Sequence, residues 1–212
     1  KPDSSEAYWN KHGLSRDIQD AITTLSSILT IDPSHTKSLI TIAGLRAILG
    51  SANDFYSLND TKYREHYYKR SFDWFLKLGN KPRIYFDRWQ FFDDMTALSD
   101  KSRPFYEYGV WMGVSFKYFI NVFKKGFGFD TFSGLPEDWH NTRAGTYSSK
   151  GKVPKIEGGE FIIGKFEDTL PSFFSENRPK ASVINFDADL YSSTICALNN
   201  SRKIIDDNTI LI

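Results

Sequence analysis

The sequence predicts an α/β chain in which an N-terminal helical region precedes a mostly parallel sheet flanked by helices. Three observations carry that prediction. Apolar residues in the first hundred positions recur at helical spacing, whereas the later part alternates short apolar runs with helix-period segments. Between them lies PFYEYGVWMG, Pro104 to Gly113, which reads as a strand, a tight loop and the start of a helix. The expected organisation is a helical hairpin over residues 1–50, a linker, long helix and aromatic cap segment over 51–102, and a cofactor-binding core over 103–212.

Composition narrows the function classes. The 212 residues suffice for one α/β domain with an appendage. Lys plus Arg is 27 and Asp plus Glu is 26, a formal charge of +1, which gives no electrostatic footprint for nucleic acid. The hydrophobic fraction of 40% supports a core, and the single cysteine, Cys196, excludes an internal disulfide framework or a cysteine-rich zinc site. No apolar run approaches the roughly 20 residues needed to span a bilayer, and no signal-peptide pattern opens the sequence, so a cytoplasmic enzyme without a membrane partner is expected.

In the first portion, Ile18, Ala21, Ile22, Leu25, Ile28 and Leu29 define one helical face and Leu39, Ile42, Ala43, Leu45 and Leu49 a second. Pro33 breaks the chain between them and Ser34 is the expected N-cap of the second helix. Ala21, Leu25, Ile28 and Pro33 resemble the second helix and closing proline of a tetratricopeptide unit, which implies a surface for a protein partner or a homo-oligomer. A generic hairpin fits as well. Residues 51–60 read as a linker, and a long helix is expected from Lys62 to about Leu78, burying Tyr67, Phe72, Phe75 and Leu76. The aromatic segment RIYFDRWQFFDDM, Arg83 to Met95, is read either as core packing or as a substrate lid.

The chemistry gathers in the second portion. Gly109 and Gly113 let a cofactor approach the backbone at the end of the first strand, and Glu107 is aimed at the same crevice. Asp130 ends the second strand, where an acid hydrogen-bonds ribose hydroxyls. The irregular stretch Ser133 to Gly159 is too long for a routine connector, so Trp139, His140, Arg143 and Tyr147 are candidates to border an acceptor. Gly164 follows the third strand and permits close approach. Asp187 and Asp189 follow the fourth; if the backbone is extended they share a side, where they can hold a hard cation or divide into a ligand and a proton acceptor. The fifth strand is Asn208 to Ile212.

YEYGVWMGVSFKYF, GFDTFSGLPEDW, GKFEDTLPSFF and FDADLYSST, in that order, resemble the S-adenosylmethionine-dependent sugar O-methyltransferases of the macrocin type over about Arg103 to Ile212. The resemblance implies a class I methyltransferase (Rossmann-like) sheet, truncated here after its fifth strand, and methyl transfer to a hydroxyl of a glycoside. It implies that Glu107, Gly109, Gly113 and Ser115 hold the methionyl end of the cofactor, that Asp130 takes the ribose, and that Gly164 and Phe166 approach the adenine. It further implies a magnesium ion, with Asp187 as a ligand and Asp189 as general base; the family's other two acidic ligands, which follow the fifth strand, have no counterpart in this sequence. Two other accounts are a noncatalytic, cofactor-sensing scaffold and a nicotinamide-dependent oxidoreductase, the latter disfavoured because GVWMG lacks the G-x-G-x-x-G spacing.

Overall fold

The computed structural model describes residues 4–212, which fall into two compact units divided between Phe92 and Asp93. The first unit is helical. It contains α1 (Ser5–His12), α2 (Ile18–Ile31), α3 (Thr36–Ile48), α4 (Asn53–Ser57) and α5 (Tyr67–Leu76), and the division falls within α6 (Arg88–Leu98). Helix α2 starts where Asp17 accepts a hydrogen bond from the Asp20 amide at 2.8 Å. Its apolar stripe, Ala21, Ile22, Leu25 and Ile28, packs with Ile42 and Leu45 of α3. Gly44 allows α5 to approach α3, because a β-carbon there would lie 2.4 Å from Cγ of Phe72.

Three expectations for this unit are corrected. His35, not Ser34, caps α3, its side chain accepting from the Ser38 amide at 3.3 Å, while the Ser34 hydroxyl donates to Asp32. The linker contains α4, whose Phe55 is fully buried. The long helix begins only at Tyr67, since a turn at Thr61 ties back the Arg64 amide and His66 caps the helix from outside. Tyr67 is consequently exposed rather than buried. Lys69 is wholly buried instead, with its ammonium on both oxygens of Asp73 at 2.7 and 2.8 Å, on Asn59 at 2.9 Å and 4.0 Å from the Phe55 ring centroid.

The second unit is built on a five-stranded sheet in the order β3-β2-β1-β4-β5, with every pairing parallel. The strands are β1 (Phe105–Tyr108), β2 (Gly126–Asp130), β3 (Gly159–Ile163), β4 (Val183–Phe186) and β5 (Ile210–Leu211), alternating with α7 (Val114–Phe123), α8 (Phe166–Phe173) and α9 (Tyr191–Asn200). This is a Rossmann-like α/β scaffold of the class I methyltransferase kind. It arises because both sheet faces are apolar, as a parallel sheet covered by helices requires. Tyr106, Tyr108, Phe127, Phe129 and Ile184 form one core with Phe166, Leu170 and Phe173 of α8 and Ala197 of α9. On the other face the Phe105 ring packs at tilted angles among Phe116, Phe119 and Phe123 of α7. Glu107, two residues along from Phe105, shares that face. All strands run the same way, but the order in which the chain adds them switches from one side of β1 to the other between β1 and β4, so the carboxyl ends of β1 and β4 border the topological switch point where ligands bind in open α/β sheets. Among the described residues no helix is long and apolar enough to cross a membrane.

Candidate functional site

Glu107 is the least expected group in the second unit: a carboxyl with no exposed surface, inside a strand. Its neighbour in register on β4 is Asn185, whose Nδ2 donates to Glu107 Oε1 at 2.8 Å. The other oxygen, Oε2, is buried and has no hydrogen-bond partner among the described residues. Burial pushes the carboxyl up to about 8; the Ser115 hydroxyl and the Asn185 amide draw it back down, while the charges of Asp187 and Asp130 raise it further. Ser115, buried in the first turn of α7, thus lies near the carboxyl although Oε2 keeps no partner of hydrogen-bond geometry.

The loop after β1 explains the glycines. Gly109 has φ +94°, and a β-carbon there would lie 2.1 Å from the Asp187 carbonyl oxygen, so the loops after β1 and β4 touch backbone to backbone. Gly113, at φ +74°, precedes α7 as its N-cap and donates its own amide to the Val110 carbonyl at 2.8 Å. Between them the Val110 and Trp111 amides both donate to Asp130 Oδ2, at 2.8 and 2.7 Å, and the Phe132 amide donates to Oδ1 at 2.7 Å. Asp130 therefore clamps the glycine loop to the end of β2. A carboxylate has about four acceptor sites, so roughly one remains for a ligand hydroxyl.

Left-handed residues recur where the strands deliver the chain to this edge: Trp111 after β1, Phe132 after β2, Gly164 after β3 and Asp189 after β4. Non-glycine residues in this region carry strain of about 1–3 kcal/mol each and cluster at functional sites. At β4 the consequence is specific. Asp189, at φ +60°, is not extended, so the condition under which Asp187 and Asp189 would share a side by strand alternation does not hold. Both side chains are exposed, and desolvation with the charge of Asp187 raises the Asp189 carboxyl. Among the described residues no group of three His, Cys, Asp or Glu side chains could hold a metal ion.

The remaining predicted residues are placed as follows. Gly164 donates its amide to the Asp130 carbonyl at 3.0 Å, joining the ends of β2 and β3. Phe166 is buried, with its ring edge-on to Tyr108 in the core. Tyr147 meets Trp111 edge-on with centroids 6.2 Å apart, which brings the long 133–159 loop against the glycine loop. Glu137 of the same loop accepts from the Ser192 hydroxyl of α9 at 2.6 Å. The Trp139 and His140 rings lie tilted with centroids 5.9 Å apart, and the Arg143 guanidinium makes an exposed pair with Asp138 at 3.6 Å. Asn185 and Trp111 were not singled out from the sequence, although Asn185 could have been: it is the one polar residue in the strand VINF. An apolar groove of about 720 Å³ lies elsewhere, on the helical unit, lined by Ile48, Tyr67, Phe72, Trp74, Phe75 and Ile84 among others; none of the predicted site residues borders it.

No protein-family model, curated protein or solved structure matches the chain. The fold and the edge just described define a Rossmann-like α/β scaffold of class I methyltransferase shape.

Proposed function

We propose that the chain is an S-adenosylmethionine-dependent O-methyltransferase of the macrocin type, acting on a hydroxyl of a sugar or glycosylated natural product. The observation that carries this reading is Glu107 Oε2, a buried carboxyl oxygen without a partner beside the glycine loop. Leaving such an acceptor unpaired costs about 1–3 kcal/mol or more, and an ammonium group meets it with both a donor and a charge. The cofactor's amino-acid tail brings that ammonium. Because Oε2 is covered in the free chain, the tail reaches it only when the groups above it move. The Asp130 clamp supports the same class: with the Val110 and Trp111 amides engaged, the loop keeps few donors for the pyrophosphate of a dinucleotide.

S-adenosylmethionine, when bound, supplies a methyl group activated by its sulfonium. Glu107 holds the ammonium, with Ser115 beside it and Gly109 and Gly113 admitting the tail. The free acceptor site of Asp130 takes a ribose hydroxyl, and Gly164, backed by Phe166, borders the adenine. Asp189, whose carboxyl is raised by desolvation and by the charge of Asp187, would receive the proton of the acceptor hydroxyl as the hydroxyl oxygen takes the methyl group and the methyl–sulfur bond breaks. Asp187 is the residue that would ligate magnesium. Asp187 and Asp189 alone do not complete a hard-cation site, which takes about six or more oxygens, and among the described residues no third His, Cys, Asp or Glu side chain joins them.

The test is methyl transfer from labelled S-adenosylmethionine to a panel of hydroxylated glycosides, with Asp189→Asn as the control. Transfer that falls about 100-fold or more in the variant is the expected result. Cofactor binding without transfer to any glycoside would instead favour the noncatalytic, cofactor-sensing scaffold.

A further inference from the structure

We infer that Asn185 is a positioning residue for the cofactor's amino-acid tail: it fastens Glu107 Oε1 so that Oε2 alone is left to receive the ammonium group. The inference rests on the S-adenosylmethionine reading above and adds to it a residue that touches no ligand. Glu107 and Asn185 are direct register partners on adjacent parallel strands, so their side chains leave the sheet on the same face. Their 2.8 Å hydrogen bond is buried, with Asn185 6% exposed and Glu107 not exposed at all. On the opposite flank the register partner of Glu107 is Gly128, which offers no side chain to compete for the carboxyl. Asn185 thus holds Glu107 Oε1, and among the described residues Oε2 has no partner of hydrogen-bond geometry, the Ser115 hydroxyl lying near the carboxyl without meeting it.

The chemistry favours an amide at position 185. A second carboxylate there would add to the negative field that Asp130 and Asp187 already place on Glu107, and an apolar residue would leave both oxygens unpaired and the side chain free to turn. An amide donates one hydrogen bond without adding charge. It directs Glu107 and leaves the carboxyl able to give up its proton when an ammonium group arrives.

The test compares two probes on the full chain by calorimetric titration: S-adenosylmethionine, and methylthioadenosine, which keeps the nucleoside but lacks the amino-acid tail. Asn185→Leu is expected to weaken S-adenosylmethionine about tenfold or more while leaving methylthioadenosine within about twofold. In a Glu107→Gln background the same substitution should cost S-adenosylmethionine nothing further, because the carboxyl that it positions, the group able to ionise against the ammonium, is gone. If Asn185→Leu fails to fold by circular dichroism, Asn185→Ser takes its place with the same tail-specific loss expected. Equal loss of both probes, loss of neither, or an undiminished loss in the Glu107→Gln background would overturn the inference while leaving the methyltransferase reading intact. A wild-type chain that binds neither probe would overturn the methyltransferase reading and this inference with it.

Discussion

Replacing Glu107 by Gln should change how the stability of the chain depends on pH. The carboxyl has an ordinary value of 4.5 and is raised to about 8 by burial. Between those values the folded chain keeps a proton that the unfolded chain has released, so stability is greatest at the acidic side of the window and falls as the pH rises through it. The slope is about 1.4 kcal/mol per pH unit. From about pH 5.5 to about pH 7.5 the Glu107 contribution therefore amounts to roughly 2–3 kcal/mol. Other groups titrate over the same interval, so the informative quantity is the difference between wild type and Glu107→Gln. Gln keeps the shape and a carbonyl oxygen for Asn185 but has no titrating proton. Urea denaturation at the two pH values, followed by far-ultraviolet circular dichroism, should show wild type losing about 2–3 kcal/mol more than the variant. Equal losses would mean that Glu107 does not carry a raised pKa in the folded chain and that its burial is compensated by a partner of Oε2.

Further expectations concern the same edge and the helical unit. Gly109→Ala would place a β-carbon 2.1 Å from the Asp187 carbonyl oxygen at a φ of +94°, so a loss of about 2 kcal/mol or more is expected in denaturation, together with loss of cofactor binding. Asp130→Ala should release the Val110 and Trp111 amides, and their hydrogen exchange should accelerate relative to that of core strand amides; unchanged protection would show that the loop is held by other means. Lys69→Met should destabilise the helical unit by about 2–3 kcal/mol in thermal unfolding, less than the loss of a fully buried pair because the Asp73 side chain is 34% exposed. A neutral effect would mean that the Phe55 ring and apolar packing alone hold that helix.

The parallel sheet was legible because its signals are local. β1, β2 and β4 are short apolar runs ended by a glycine or an acid, and the helices between them carry an apolar stripe at a period of 3.6 residues. The placing of Glu107, Gly109, Asp130 and Gly164 at one edge of the sheet follows from strand-end position alone. What local patterns could not supply were properties set across the sheet. Asn185 becomes a site residue only through its register with Glu107, and Asp130 becomes a loop clamp only when the chain after β1 folds over the end of β2. The left-handed turn at Asp189 was likewise illegible, because an alternation argument assumes an extended backbone that the strand no longer supplies after Phe186. In the helical unit the aromatic stretch around Tyr67 and Lys69 misled for a physical reason. Lysine is buried there because Asp73, Asn59 and the Phe55 ring surround its ammonium, an arrangement that composition does not announce.

The central claim is that the edge formed by β1, β2 and β4 receives the amino-acid tail and ribose of S-adenosylmethionine. Calorimetric titration of the full chain with S-adenosylmethionine, and separately with NADH, tests it most directly. The account predicts saturable binding of S-adenosylmethionine that Glu107→Gln and Asp130→Ala both weaken, and no binding of NADH. Binding of NADH alone, or affinity for S-adenosylmethionine unaltered by either substitution, would contradict it.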